Sequence, residues 1–343
     1  MRASVVRRGA ITLGSLVAIS LAAFVDVSPP RQDTVLGVTY SPRYAGGLGL
    51  DAHAVYAGML DDLGVREVRL PLYWEEIEPE PGIYDFSEVD FYVGEAEARG
   101  VSMLLSVGYK QPRWPECYPP PWAVGLSAER LQSDVLRLVE VEVTHYGARP
   151  SVSMWQAENE PLVTFGNCQD PVVLTPTFMK DEIALIQRLD ARPVLLTDSG
   201  EWSTLLPAMG TAGVGLGLSI YRDVPMPLFG LARYPLPAWT YSAKDWFART
   251  VTGVSGTTII SELQCEPWFV GGGLRDVPYE IQNRQFPPEQ IVRSNVDYAR
   301  RTGFPRAYLW GVEWWYWMAA HGHAEYLAEA QRVFAEALST ARN

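Results

Sequence analysis

Two short acidic segments hold the residues best suited to chemistry, and each lies at the end of a predicted strand. The first reads Glu-Asn-Glu-Pro at 158–161, and the second begins at Glu262 and ends in Pro267 and Trp268. Two carboxyl groups can divide bond cleavage between them, because one acts as a nucleophile while the other donates a proton. Glu158, Glu160, Glu262 and Glu266 are therefore the candidates for such a pair.

Aromatic, amide and carboxyl side chains follow most of the other predicted strands as well. They occur at 73–79, 109–122 and 310–317, and Tyr221 follows the sixth strand. Indole faces stack on the C–H face of a pyranose, while carboxylates and amides bind its hydroxyl groups. A phosphate site would need glycine-rich turns or Lys and Arg clamps, and the glycines at 271–273 have no such partners. The combination therefore favours a sugar ligand.

The elements that must position these residues alternate along the whole sequence. Short apolar runs of strand length are followed by longer stretches of helical period, and several helices begin after N-cap candidates such as Asp51, Ser127 and Thr175. The predicted strands are 34–41, 67–71, 101–107, 152–157, 193–197, 214–220, 257–262 and 307–312. The predicted helices are 52–63, 87–99, 128–146, 176–189, 203–209, 243–251, 288–301 and 324–341. Eight such units predict one (β/α)8 TIM barrel over 30–343, with its chemistry at the C-terminal ends of the strands.

Several residues lie in or just after these strands in an order that is typical of one enzyme clan. They are Arg69 in the second strand, Trp74 and 78–86 after it, Asn159, Glu160 and Pro161 after the fourth, Tyr221 after the sixth, Glu262 in the seventh and Trp310 in the eighth. With them the sequence resembles the clan A glycoside hydrolases, most closely the family 5 cellulase-like enzymes, and it is similar to the family 39 and 42 barrels. The seventh strand ends in Ser-Glu-Leu-Gln rather than Thr-Glu-Phe/Trp-Gly, so the resemblance implies the chemistry without the sugar.

The resemblance implies a retaining β-glycosidase that hydrolyses a β-linked oligo- or polysaccharide through a covalent glycosyl-enzyme. Glu160 would be the acid/base and Glu262 the nucleophile. The remaining implied roles are binding of the 2-hydroxyl by Asn159, orientation of Glu262 by Tyr221 and Arg69, and a floor formed by Trp310 or Trp314.

Two local properties follow if this assignment holds. Glu160 should have a raised pKa, because a second carboxylate lies close by and aromatic loops exclude water. Asn159 and Glu160 should also point into the same site, although successive residues of a strand face opposite sides. The end of the fourth strand is therefore expected to kink or bulge.

Three more tryptophans are candidates for substrate contact. Trp114 lies in a loop rich in proline and aromatic residues at 109–117, where it would form a substrate wall, with a structural lid as the alternative. Trp74 and Trp268 follow the second and seventh strands. The glutamates at 75, 76 and 78 are assigned to loop capping and solvent.

The cysteines and histidines predict no metal site. Cys117 and Cys168 follow neighbouring strands and could form a disulfide, while Cys265 is expected to be a small buried residue. His321 and His323 lack a third ligand in the sequence, and no cofactor-binding motif is present. We expect an enzyme without a metal or cofactor.

Three other functions are alternatives to a retaining β-glycosidase. A catalytically silent barrel that binds glycans at the cell surface would use the same aromatic residues without the carboxylate pair, and transglycosylation would use the same covalent intermediate. A sugar-phosphate or cofactor-dependent barrel ranks last, because neither a phosphate loop nor a basic mouth is present.

Composition and the N-terminal residues indicate the setting. The net charge of −12 repels phosphate backbones, so nucleic acid is not an expected partner. Arg2, Arg7 and Arg8 precede an uncharged run at 9–25, which is typical of an export signal or an N-terminal membrane anchor. Residues 1–29 are therefore expected to place the barrel outside the cytoplasm, with membrane attachment only through this segment. The sequence predicts no oligomeric state.

Overall fold

The computed structural model describes residues 26, 28–164, 166–168, 173–212, 214–226, 230–269 and 272–340. Within them, eight parallel strands close into a barrel. This confirms the predicted (β/α)8 fold. The predicted signal or anchor at 1–29 and the glycine at 271 lie outside the described residues, apart from Asp26 and 28–29.

Each barrel strand begins and ends within two residues of its predicted bounds. The strands are β1 (Val35–Thr39), β2 (Glu67–Pro71), β3 (Ser102–Val107), β4 (Val152–Ala157), β5 (Val194–Ser199), β6 (Gly215–Ile220), β9 (Thr258–Gln264) and β10 (Arg306–Trp310). Around the barrel they follow one another in the order β1-β10-β9-β6-β5-β4-β3-β2. A two-stranded antiparallel hairpin, β7 (Asp223–Met226) and β8 (Gly230–Arg233), follows β6 at the mouth and was not predicted. The last strand ends before the predicted 312, because Gly311 takes a φ of +129° and a helix begins at Val312.

Helices cover the outside of the barrel, and each predicted helix is present. The α-helices are α1 (Pro42–Gly47), α2 (Ala52–Asp61), α3 (Trp74–Ile77), α4 (Ser87–Ala98), α5 (Ala128–Tyr146), α6 (Pro176–Leu189), α7 (Leu206–Ala212), α8 (Trp239–Thr252), α9 (Tyr279–Gln285), α10 (Ser294–Arg301), α11 (Val312–Ala320) and α12 (Glu325–Thr340). A π-helical turn, Glu289–Arg293, leads into α10. The side chains of Asp51, Ser127 and Thr175 cap α2, α5 and α6 as expected. Within the described residues, no helix has the length and apolar character that a membrane span requires.

Strand alternation divides the apolar side chains into two layers. Met103 and Leu105 of β3 belong to the main core between sheet and helices, whereas Leu104 points the other way. Leu104 packs with Leu195, Ile259 and Tyr308 in a separate buried cluster. This second cluster lies inside the barrel, so the barrel has a packed centre.

A disulfide joins two of the mouth loops. Cys117, after β3, is bonded to Cys168, after β4, and their Cα atoms are 5.1 Å apart. Cys265 is a free, buried thiol. The bridge therefore fixes the loop that carries Trp114 against the segment that follows Glu160.

Removal of this disulfide should destabilise the protein substantially. The bridge spans 51 residues, and closing a loop of that size is worth about 4 kcal/mol through the entropy of the unfolded chain. The double variant Cys117→Ser/Cys168→Ser should lower the free energy of unfolding in urea by that amount. Reductant should shift the wild-type transition to the same midpoint and leave the double variant unchanged. Equal midpoints for oxidised wild type and variant would contradict a stabilising bridge.

Candidate active site

Glu262 lies on β9 at the mouth, and two donors orient its carboxylate. Arg69 Nη1 donates to Oε1 at 2.9 Å, and the Tyr221 hydroxyl donates to Oε2 at 3.0 Å. Glu262 is 5% exposed. Both oxygens are thus held by the two residues to which the resemblance gave this role.

Arg69 is the centre of the hydrogen-bond network. Its side chain is fully buried, and besides Glu262 it donates to Gln156 Oε1 at 2.7 Å and to Asn159 Oδ1 at 2.8 Å. A planar guanidinium can hold three acceptors in a fixed arrangement. Arg69 therefore sets the position of Glu262 on β9 relative to Asn159 after β4.

The chain kinks after β4, as the resemblance implied. Glu158 and Glu160 take left-handed φ values of +58° and +42°, and Asn159 lies between them. Left-handed backbone is uncommon for residues other than glycine and is maintained only where the surroundings enforce it. Here the Glu160 N–H donates to Thr197 Oγ1 at 2.7 Å, and the Asn159 N–H donates to Lys110 O at 2.6 Å. The kink allows Asn159 and Glu160 to face the same site.

Glu160 lies beside Glu262 at the mouth. Ser219 Oγ donates to Glu160 Oε1 at 2.5 Å, and Ser219 is paired in register with Glu262 across β6 and β9. Burial raises the pKa of Glu160 to about 8, and the negative charge of Glu262 adds to this rise. Near neutral pH, Glu160 is therefore a protonated acid next to an oriented carboxylate.

A third carboxyl group, that of Glu116, lies near the pair. Glu116 is 7% exposed, and Lys110 Nζ lies 3.2 Å from its Oε2. Burial raises its pKa to about 7; the Lys110 ammonium opposes this rise and the Glu262 carboxylate adds to it. Lys110 also donates to the backbone oxygens of Glu160 and Val163, so it links the loop after β3 to the loop after β4.

Arg113 anchors one wall of the mouth. Its guanidinium lies 3.9 Å from the ring centre of Tyr44 and 4.0 Å from that of Trp310. It donates to Glu313 Oε2 at 2.6 Å and to Glu266 Oε1. Trp310 Nε1 donates to the same Glu266 oxygen at 2.8 Å. This network fixes the orientation of the Trp310 indole.

Four of the aromatic residues that were predicted to contact substrate lie in or after the strands at the mouth. Tyr221 lies 5.9 Å from Trp268 and 6.5 Å from Trp310, ring centre to ring centre, and these three rings cluster beside Glu262. Trp114 is 67% exposed in the β3 loop.

The assignments of Trp74 and Trp314 as substrate contacts are wrong, because both side chains are fully buried. Trp74 Nε1 donates to Glu78 Oε2 at 2.8 Å, and Trp314 Nε1 donates to Gln282 Oε1 at 2.7 Å. Trp314 therefore packs in the layer of helices, whereas Trp74 packs against Tyr109 and Trp122 of the loop that follows β3, without an exposed face. Glu78 is likewise fully buried, so the predicted exposure to solvent is wrong, but its Oε1 accepts from the Gly82 N–H at 2.7 Å and so caps the loop, as predicted.

The two histidines after β10 contact an aromatic ring and a carboxylate. His321 stacks on Tyr279 with 4.2 Å between ring centres, and His323 Nδ1 lies 3.1 Å from Glu325 Oε1. Among the described side chains, no group of three His, Cys, Asp or Glu residues is arranged to hold a metal ion.

Three residues that lie around Glu160 and Glu262 were not predicted from the sequence. Ser219 binds Glu160, Glu116 faces the pair, and Glu201 accepts from the Tyr221 N–H at 2.9 Å and from the Tyr241 hydroxyl at 2.7 Å. Ser219 and Glu201 lie at the ends of β6 and β5, so their position on the mouth side was the available signal. Glu116 had no comparable signal, since it lies in a loop whose path the sequence does not reveal.

Three further carboxyl groups form a buried acidic cluster behind the site. Glu142, Glu158 and Glu182 are fully buried, and burial raises the pKa of each, that of Glu158 to about 8. Glu158 accepts from the backbone N–H groups of Tyr109 and Lys110. A Cβ at Gly108, where φ is +103°, would lie 2.4 Å from Glu158 Oε1, so only glycine fits there.

This acidic cluster should make stability depend on pH. An acid with a raised pKa in the folded state stabilises the fold fully below its unfolded pKa, and this stabilisation is lost as pH rises through the folded value. The free energy of unfolding should therefore fall between about pH 4.5 and pH 8. Glu182→Gln should reduce that slope by up to about 1.4 kcal/mol per pH unit. Glu140→Gln, on the exposed side of α5, is the matched control, and an unchanged slope in Glu182→Gln would contradict the assignment.

Comparison with known proteins adds information about the fold. No protein-family model matches this sequence, and no curated protein is similar to it. Among solved structures, endo-glycoceramidase II from Rhodococcus sp. has a TM-score of 0.55 at 16% identity, covering 81% of this chain and 72% of that one. An exo-β-1,4-mannosidase from an Opitutaceae bacterium has a TM-score of 0.57 at 15% identity, covering 90% and 60%.

An endo-1,4-β-D-mannanase from Thermotoga petrophila is similar to the same extent. Its TM-score is 0.53 at 14% identity, and the match covers 81% of this chain and 88% of the mannanase. Identity at this level shows a shared fold and nothing finer. The chain is therefore a (β/α)8 barrel of the kind that these glycoside hydrolases adopt.

Proposed function

We propose that this protein is a retaining β-glycosidase. The observation that carries the proposal is the pair Glu160 and Glu262: a buried acid with a raised pKa beside a carboxylate that Arg69 and Tyr221 orient. Retaining enzymes need this combination of a proton donor and a nucleophile on opposite sides of the scissile bond. The barrel shared with named β-mannanase and β-mannosidase structures supports the proposal at the level of fold.

Each residue has a defined task in the proposed reaction. Glu262 attacks the anomeric carbon while Glu160 gives its proton to the leaving oxygen, and water assisted by ionised Glu160 then releases the sugar. The NH2 group of Asn159 is the donor that we assign to the 2-hydroxyl, since Arg69 holds the carbonyl end of that amide. Trp310 and Trp268 would stack on the sugar rings.

We also propose that the barrel works outside the cytoplasm. A disulfide persists in an oxidising compartment, and the uncharged run at 9–25 is typical of a signal or anchor. Both features support export, and residues 1–29 are the proposed targeting segment.

Release of nitrophenol from a panel of aryl β-glycosides tests the proposed function, together with reducing ends from β-glucans, mannans and xylans. An active substrate should give the β-anomer as the first product, observed by NMR before mutarotation. A first product of α configuration would contradict a retaining mechanism. Oligosaccharide binding by calorimetry, with no turnover of any substrate, would favour the silent glycan-binding barrel.

A further inference from the structure

The outer face of α8 carries a stripe of exposed apolar side chains, Trp239, Trp246, Phe247 and Val251, which we call the α8 stripe. Trp246 is 68% exposed, Phe247 51% and Val251 59%. Their spacing along the helix places them on one face. Large apolar side chains gathered in this way on a surface mark a contact with a partner or a membrane.

The charged residues of α8 lie off this stripe and are engaged elsewhere. Lys244 Nζ donates to the backbone oxygens of Gly200 and Glu201 at 2.8 and 3.0 Å. Asp245 and Arg249 form an ion pair with each other at 2.9 Å. The stripe therefore offers apolar and aromatic surface without ionised groups, which suits a lipid interface better than a charged ligand.

The chain itself indicates which partner covers this surface. Asp26 directly follows the uncharged run at 9–25, and its Oδ2 accepts from the Ala238 N–H at 3.3 Å. Ala238 directly precedes Trp239, the first residue of α8. A membrane that receives residues 9–25 would therefore lie within a residue or two of the start of the α8 stripe.

We propose that the α8 stripe is a membrane-docking surface, whose partner is the interfacial layer of the phospholipid bilayer that receives residues 9–25. Tryptophan is the residue that most favours this layer, where its ring is apolar and its N–H remains hydrated. Because the protein carries a net charge of −12 and the stripe has no cation, attraction to anionic lipid does not drive the contact. Contact of the stripe with a neutral bilayer should therefore be insensitive to salt.

Docking through α8 would bring the mouth of the barrel close to the lipid surface. Trp202, 67% exposed after β5, belongs to the loop that Lys244 ties to α8. The mouth would then be rimmed on this side by the bilayer. If the proposed glycosidase function holds, the substrates are glycans carried by membrane lipids or held at the membrane surface; the docking itself does not depend on that function.

A polarity-sensitive fluorophore on Phe247→Cys tests the contact in the full chain bound to phosphatidylcholine vesicles. The introduced thiol can be labelled selectively, because Cys117 and Cys168 are bridged and Cys265 is buried. The emission should shift to the blue, and quenchers placed on lipid chains should reduce it. The matched control is Glu140→Cys on the exposed side of α5, where neither change is expected. A label at 247 that stays in water on bound protein would overturn the proposal.

The label at 247 also shows whether something other than a bilayer covers the α8 stripe. Shielding at 247 without vesicles that increases with protein concentration would show a second copy of the chain on the stripe. Shielding without vesicles that is independent of concentration would show residues 9–25 folded back on it. Either result overturns the proposal.

A second test changes the surface itself. In the full chain, replacing all four residues of the α8 stripe by serine should weaken vesicle binding by about tenfold or more. Equal binding would overturn the proposal, because residues 9–25 alone would then account for attachment. An unchanged unfolding midpoint checks the fold. Turnover of a soluble aryl glycoside should be unaffected, so inactivity of the wild type would count against the proposed function and not against docking.

Discussion

Glu262→Gln should abolish glycoside cleavage, with a loss in kcat/KM on the order of 10⁴-fold or more, as when single members of other catalytic groups are removed. A neutral amide of the same shape cannot attack the anomeric carbon to form the glycosyl ester. Oligosaccharide binding should persist, since the aromatic rings that would stack on sugar are untouched. Steady-state kinetics and calorimetry on the same preparation measure both quantities.

The control for this substitution must separate chemistry from folding. Glu262→Gln leaves the buried Arg69 without its anionic partner, and breaking such a pair costs about 3–5 kcal/mol of stability. Urea unfolding should therefore show a weaker protein that is still folded at the assay temperature. Glu280→Gln, on an exposed position of α9, should retain full activity. Substantial turnover by folded Glu262→Gln would exclude Glu262 as the nucleophile.

Glu160→Ala should produce a loss that depends on the leaving group. Removal of a general acid costs about 10²–10⁴-fold where the leaving oxygen needs a proton. A dinitrophenyl glycoside, whose leaving group needs no proton, should therefore still form the glycosyl-enzyme. Azide should then rescue turnover and yield a β-glycosyl azide, because it attacks the intermediate without base assistance. Rates over a series of aryl glycosides measure this dependence.

The pH profile is the companion readout for Glu160. Its pKa of about 8 predicts that wild-type activity falls as pH rises through that value, because the acid loses its proton. This alkaline limb should disappear in Glu160→Ala acting on the dinitrophenyl substrate. Ser219→Ala should move the limb upward, since the Ser219 hydrogen bond lowers the pKa of Glu160. An equal loss on all leaving groups would mean that Glu160 is not the acid.

The sequence was sufficient to predict the strands, because they depend on local patterns. Runs of β-branched and apolar residues mark buried parallel strands, and glutamates at the ends of two strands were expected to face the mouth. The choice of Glu160 and Glu262 as the candidate pair, and of Arg69 and Tyr221 as their neighbours, came from the resemblance to the clan A enzymes. The kink at 158–160 followed from the resemblance, since alternation alone would have turned Asn159 and Glu160 to opposite sides.

What the sequence could not provide depends on contacts between distant segments. A tryptophan after a strand can turn into the mouth or into the layer of helices, and neighbours far along the chain decide between them. Trp310 is held at the mouth by Arg113 and Glu266, whereas Trp314 binds Gln282 of α9. None of these three partners can be inferred from local periodicity, so the sequence could not distinguish the two indoles.

The most direct test of the account is to trap the covalent intermediate. A 2-deoxy-2-fluoro β-glycoside with a good leaving group slows both steps, so the glycosyl-enzyme accumulates and can be located by mass spectrometry of its peptides. We expect one sugar on the carboxyl oxygen of Glu262 and none on Glu160 or Glu116. A label on either of those residues, or rapid turnover of unfluorinated substrate with no trapped adduct, would contradict it.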